Sequence, residues 1–137
     1  MNSKKKIYIF GNPLLPFDNM PNKLAPELER AFPKIDFIIA DPNENLKPEN
    51  GKLVIIDTVI GPKKVVVMDE VKKIELSPAY SMHDLDLGFN LKLLKKIGKL
   101  KKITIFGIPN NLSKKKALVQ LTALLRDKVD STAKFRS

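Results

Sequence analysis

The sequence predicts an α/β fold of three layers, α/β/α, built around a mostly parallel, twisted five-stranded sheet, and three observations lead there. Five short runs are nearly continuous in apolar residues rather than alternating with polar ones. That pattern is expected of strands covered by helices on both faces of a parallel sheet. Stretches with apolar residues at helical spacing lie between and after those runs. The resulting order, β-α-β-loop-β-β-α-β-α, belongs to the α/β class.

Ile7–Phe10 is the first predicted strand, closed by the turn residues Gly11-Asn12-Pro13. A helix over Asn22–Phe32 places Leu24, Leu28, Ala31 and Phe32 on one face, with Pro26 tolerable only near the first turn. The second strand is Phe37–Ala40. Asp41–Gly51, with Pro42, Asn43, Asn45, Pro48 and Asn50, reads as a polar connection and not a domain boundary. Leu53–Ile56 and Val65–Met68 follow as strands, the latter β-branched over Val65-Val66-Val67. Asp84–Ile97 carries Leu87, Leu91, Leu94 and Ile97 at helical spacing, with Lys92, Lys95 and Lys96 outside and Gly98 as its stop. Ile103–Phe106 is the fifth strand. Ser113 caps a last helix bearing Leu118, Leu121, Leu124 and Leu125. The first-turn lysines of that helix oppose its dipole, and from about Ser131 the chain reads as a frayed tail.

At 137 residues the chain is read as one domain spanning 1–137, since domains commonly run about 100–200 residues. No apolar run approaches the roughly 18–20 residues of a membrane span. The basic start, Met1-Asn2-Ser3-Lys4-Lys5-Lys6, is followed by too short an apolar stretch for a signal peptide, so a cytoplasmic monomer without a membrane partner is expected. There is no cysteine, which excludes disulfides, thiolate metal sites and a cysteine nucleophile, and His83 is the only histidine. The net charge of +10 raises the possibility of a nucleic-acid partner. The lysines are scattered, however, the chain is 7% aromatic without tryptophan, and no basic run is interleaved with aromatics. Solvated lysine on loops and helix faces accounts for the charge, and its abundance also suits a hyperthermophilic source. No nucleic-acid partner is expected.

Ligands of open α/β sheets bind beyond the carboxyl ends of the strands. The chemistry is therefore sought just after each predicted strand. Gly11, Asn12 and then Asp18 follow the first, Asp57 follows the third, and Ser81-Met82-His83-Asp84 follows the fourth and its extension. Each has an ordinary structural reading: Asp18 as a helix cap or turn residue, Asp57 as the cap of a loop, His83 as a surface residue. Taken together, two carboxylates and an imidazole suffice to hold a divalent metal with positions open for water or substrate. The mixed oxygen and nitrogen set suits zinc, nickel, cobalt or manganese better than calcium. No G-x-G-x-x-G, P-loop or G-x-S-x-G motif occurs. A triad drawn from Ser77 or Ser81 with His83 is poorly placed, because a serine so near in sequence cannot readily reach that imidazole.

"GNPLLPFD" (Gly11–Asp18), "VIIDTVIG" (Val54–Gly61), "SMHD" (Ser81–Asp84) and "IFGIP" (Ile105–Pro109) occur in the order and spacing of the hydrogenase maturation proteases. The chain resembles a short, archaeal-like member of that family over Lys5 to Leu125. The resemblance implies a phosphorylase/hydrolase-like α/β/α fold and a peptidase activity. The peptidase removes the C-terminal extension of the large-subunit precursor of nickel–iron hydrogenase once nickel is inserted. It also implies that Asp18, Asp57 and His83 contact the nickel presented by that precursor, with Gly11 and Asn12 shaping the substrate loop. Zinc or another divalent cation could occupy the same set in vitro. The sequence departs from the family pattern at Phe17, where an acidic residue is usual, at Asn19-Met20-Pro21, at the short Gly61-Pro62 loop and at Pro109. The lost carboxylate and trimmed loops suit a second reading, a non-proteolytic metal-binding or chaperone module of the same fold. A nucleic-acid binder using the basic surface is a third.

Overall fold

The five apolar runs pair into one sheet. In the computed structural model, which describes residues 5–10, 20–40, 46–59, 62–69 and 96–136, they become β1 (Lys5–Ile9), β2 (Ile35–Ile39), β3 (Lys52–Val59), β4 (Val66–Met68) and β5 (Lys102–Pro109). The strand order is β2-β1-β3-β5-β4. β1 runs parallel to β2 and β3, and β3 to β5, whereas β4 lies antiparallel to β5. The reversal follows from chain length. Residues 60–65 between β3 and β4 fall short of the dozen or more that a parallel crossover needs. The expected mostly parallel, five-stranded α/β sheet is therefore present.

Alternation along the strands sorts the core into two faces. Ile7, Ile9, Ile56, Phe106 and Ile108 face α1 (Met20–Ala31) and α2 (Lys114–Arg136), which pack against each other and contribute Leu24, Leu28, Leu121 and Leu125. Phe10, Leu53, Ile55, Ile103 and Ile105 point the other way and are buried with Ala40, Leu46 and Leu100. The predicted helix over Asp84–Ile97 lies outside the described residues except at its end. There Lys96 is helical and Gly98 takes the left-handed φ of +79° expected of a helix-stopping glycine. No helix among the described residues is long and apolar enough to cross a membrane.

Two helix expectations need correction. α1 begins at Met20, so Pro26 sits inside the helix and not in its first turn. The ring removes the amide that would bond the Asn22 carbonyl, a defect of about 3 kcal/mol, offset by burial of Leu24, Ala25 and Leu28. α2 continues beyond Ser131 to Arg136, because no glycine or proline follows Ser113 to stop it. The Ser113 cap is as expected: its Oγ accepts the Lys116 amide at 3.2 Å, and its carbonyl accepts the Ala117 amide at 2.8 Å. The first-turn lysines gain a partial reason, since Lys114 Nζ lies 3.3 Å from Glu27 Oε2 of α1. This is an ion pair without hydrogen-bond alignment and, half in solvent, worth at most about 1 kcal/mol. Gln120 Oε1 accepts the Val65 amide at 2.8 Å, tying α2 to the approach of β4.

The start of β3 is set by a turn. Asn50 and Gly51 both have positive φ, 53° and 77°, and Glu49 and Lys52 exchange amide–carbonyl bonds of 3.0 and 2.9 Å around them. That is the Asn-Gly turn whose twist matches paired strands. The Gly51 carbonyl then receives the amides of Lys101 and Lys102 at 2.7 and 3.0 Å, aligning β3 with β5 from their first residues.

At the other end of the ladder, Asp57, Gly107 and Val66 form one row across β3, β5 and β4. A Cβ on Gly107 would lie 2.7 Å from Val59 Cγ1 and 3.1 Å from Val66 Cγ2. The glycine is required by close packing of two valines. Gly107→Ala should therefore lower stability by about 1–3 kcal/mol through overpacking. Leu121→Ala, which opens a cavity at a fully buried α2 position, should cost about 2–5 kcal/mol. Urea unfolding checks both, with a lowered midpoint at unchanged slope.

Candidate functional site

The chain leaves β1 toward β2 on one side and places β3 on the other, so the strand order reverses between β1 and β3. A crevice opens at the carboxyl ends of strands at such a point. Here the strands on either side of that point are unequal in length. The last described link from β1 is the Phe10 amide donating to the Ile56 carbonyl at 2.8 Å. β3 then continues through Asp57, Thr58 and Val59, paired with Gly107, Ile108 and Pro109 of β5, and the Asn110 amide closes the ladder on the Val59 carbonyl at 3.0 Å. The sequence ends this strand at Ile56. The structure extends it, and Asp57 is the first strand residue beyond β1 rather than the first loop residue.

Alternation sends the Asp57 side chain to the face of Leu53 and Ile55, and Thr58 to the face of Val54 and Ile56. Asp57 is fully buried, and its Oδ1 accepts the Thr58 amide at 2.8 Å. The need for that bond is geometric. Peptide groups alternate between the two sides of a strand. With the Ile56 carbonyl turned to β1 and the Val59 carbonyl to β5, the Thr58 amide points to the side where β1 has ended. The carboxylate caps it. An aspartate is almost never fully buried without a specific partner, and a buried carboxylate in a cleft is a candidate for function. The capping role anticipated for Asp57 is thus present, directed at its own strand.

Thr58 is 3% exposed, and its hydroxyl makes no hydrogen bond among the described residues. Neither Thr58 nor Gly107 is a candidate in the sequence reading. The signal for Gly107 was available, since a glycine within an apolar strand marks close approach of neighbours. The signal for Thr58 was a lone hydroxyl in an otherwise aliphatic run beyond the aspartate.

Asp18 and His83, with Gly11, Asn12 and Phe17, lie outside the described residues. Among the described residues no three histidine or carboxylate side chains gather in a metal-holding group. Of the proposed ligands, the structure therefore places Asp57 alone. The lysines that open the strands, Lys5, Lys6, Lys52 and Lys102, are exposed at the amino edge, the end of the sheet opposite the crevice.

No family model matches the sequence, and no curated protein matches it. Solved structures do. The hydrogenase maturating endopeptidase HybD from E. coli superposes with a TM-score of 0.63 at 20% identity, covering 90% of this chain and 93% of that one. The NiFe hydrogenase maturation protease HybD from Thermococcus kodakarensis gives 0.59 at 21% identity, covering 91% and 98%. A solution structure of an endopeptidase from Escherichia coli gives 0.60 at 18% identity, covering 90% and 93%. At such identities the likeness is one of fold, and the chain has the fold seen in hydrogenase maturation endopeptidases.

Proposed function

We propose that this chain is an endopeptidase that removes the C-terminal extension of a nickel–iron hydrogenase large-subunit precursor after nickel insertion. One observation carries the reading. A fully buried carboxylate, Asp57, stands where the strand order reverses, at the carboxyl edge of a sheet shared in fold with structures named as maturation endopeptidases. Asp18 follows β1 in sequence, and His83 lies between β4 and β5. With Asp57, these residues would contact the nickel that the precursor presents, so that cleavage is licensed only when the metal is in place. The metal is part of the substrate. When bound it can polarise a scissile carbonyl or acidify a water, in a chain without cysteine or a credible serine triad. We assign the protein to the cytoplasm as a monomer, with the precursor as its partner.

Asp57 has two tasks in this reading, and they can be separated. Asparagine keeps a side-chain oxygen for the Thr58 amide and loses the charge that a metal needs. In a cleavage assay on nickel-loaded precursor, Asp57→Asn, Asp18→Ala and His83→Ala should each lower kcat/KM by about 100-fold or more. The Asp57→Asn protein should remain folded, and nickel-free precursor should not be cut. Full activity in any of the three variants removes that residue from the site. Phe17, standing where the family pattern has a carboxylate, supports the second reading of a metal-binding module. Nickel or zinc uptake by calorimetry, with no cleavage by the wild-type chain, would select it.

A further inference from the structure

We propose that the amino edge of the sheet is a contact surface for an anionic phospholipid membrane. The proposal goes beyond the endopeptidase reading and does not depend on it, since this edge lies at the opposite end of the strands from Asp57. Lysines that are scattered along the chain are gathered here by the fold. Lys34 precedes β2, Lys5 and Lys6 open β1, Lys52 opens β3, and Lys101 and Lys102 stand at the start of β5. All six are exposed. Lys52 is directly opposite Lys102, and the offset that pairs Tyr8 with Ile55 places Lys5 level with Lys52. Four neighbouring strands, about 4.8 Å apart, thus present a basic strip roughly 15 Å across. Among the described residues the acids of this edge are Asp36, level with Lys6, and Glu49 in the turn before β3, so positive charge prevails.

Stability does not explain the strip. Like charges directly opposite on paired strands weaken the ladder, and a neutral polar residue at either position would remove that repulsion. A surface of the opposite sign gives the lysines a use, each one near an anionic bilayer contributing roughly fivefold to the binding constant. The occupant is indicated by an apolar residue set among the charges. Ile97 is 56% exposed. It stands four residues before Lys101, between the exposed Lys96 and Lys99, where Gly98 turns the chain with a φ of +79°. Basic charge with an apolar side chain at one edge is the pairing of signals that holds proteins on anionic membranes. A nucleic-acid backbone would use the charge and leave Ile97 without a role, and the residues that open these strands include no arginine and no aromatic ring for phosphate forks or base stacking. The lack of an apolar span bears on crossing a bilayer and not on resting against one.

Co-sedimentation of the full chain with phospholipid vesicles tests this. At about 0.1 M salt the protein should sediment with vesicles containing about one-third phosphatidylserine and not with pure phosphatidylcholine, and about 0.5 M salt should release it. Lys52→Gln/Lys102→Gln should bind about tenfold or more weakly and melt no lower than wild type, since it removes a like-charged pair. Lys6→Gln/Lys101→Gln, made at exposed positions beside the same row, provides an independent pair with the same expected loss. Lys115→Gln/Lys116→Gln carries the same change in net charge at the first turn of α2, beyond the carboxyl end of β5, and should bind within about threefold of wild type. Ile97→Ser should weaken binding about three- to tenfold, the effect of an isoleucine only partly withdrawn from water. Failure of the wild type to bind phosphatidylserine vesicles at low salt would overturn the proposal. So would an equal loss in the Lys115→Gln/Lys116→Gln protein, which would trace binding to net charge alone. Tighter binding to a DNA duplex than to the vesicles at the same salt, unaffected by Ile97→Ser, would assign the edge to a nucleic acid and likewise overturn it.

Discussion

The ladder between β3 and β5 is the constraint on which the rest of the molecule depends. It holds in parallel register from Lys52 opposite Lys102 to Val59 opposite Pro109, whereas β3 meets β1 only at Tyr8–Ile55 and Ile9–Ile56. The difference in length carries Asp57 and Thr58 past the last described link to β1. A strand paired on one side alone normally needs its outer peptide groups satisfied by water or side chains, and here a carboxylate supplies the partner for the Thr58 amide. The like-charged pair Lys52–Lys102 at the amino end slightly disfavours the ladder. Its strength therefore lies in the backbone bonds and in the valine and isoleucine faces further along.

Those faces explain why the site end stays in register. Gly107 lies opposite Asp57 and admits Val59 and Val66 where any side chain would collide. The short β4 is thereby locked to β5 by packing as well as by its three-residue antiparallel pairing. Gln120 secures the residue just before β4 from α2, and α2 is in turn seated on α1 through a shared core that includes Leu24, Leu28, Leu121 and Leu125. A helix on one face thus braces the edge strand nearest the residue row that contains Asp57.

Much of this was legible in the sequence because burial on both faces leaves uninterrupted apolar runs. Ile7–Phe10, Leu53–Ile56 and Ile103–Phe106 all fall in or next to strands. The boundaries failed where chemistry interrupts the pattern. Asp57 and Thr58 read as the end of β3 because polar residues ordinarily leave a sheet, yet pairing with β5 carries the strand past them. Pro26 suggested a later start for α1, and tertiary burial of Leu24, Ala25 and Leu28 overrode it. The tail of α2 looked frayed because its apolar periodicity fades after Leu125, but the helix runs on to Arg136 through a stretch without glycine or proline. For the site, position relative to strand ends singled out Asp57, which the fold buries near the carboxyl end of β3. Asp18 and His83 were named by the same logic from loops outside the described residues. Thr58 and Gly107 were passed over because their roles depend on which strands lie alongside, information that one chain's local pattern does not contain.

The carboxyl end of β3 also concentrates features that act against stability. A fully buried carboxylate and a buried hydroxyl without a hydrogen bond among the described residues sit on adjacent residues of β3, in a strand otherwise rich in valine and isoleucine. A sequence consistent with its fold at every level would place aliphatic residues at both positions. Departures of this kind gather at working sites, because groups that must bind a ligand cannot all be satisfied by the protein itself. The bond from the Thr58 amide limits the cost by giving the carboxylate a partner.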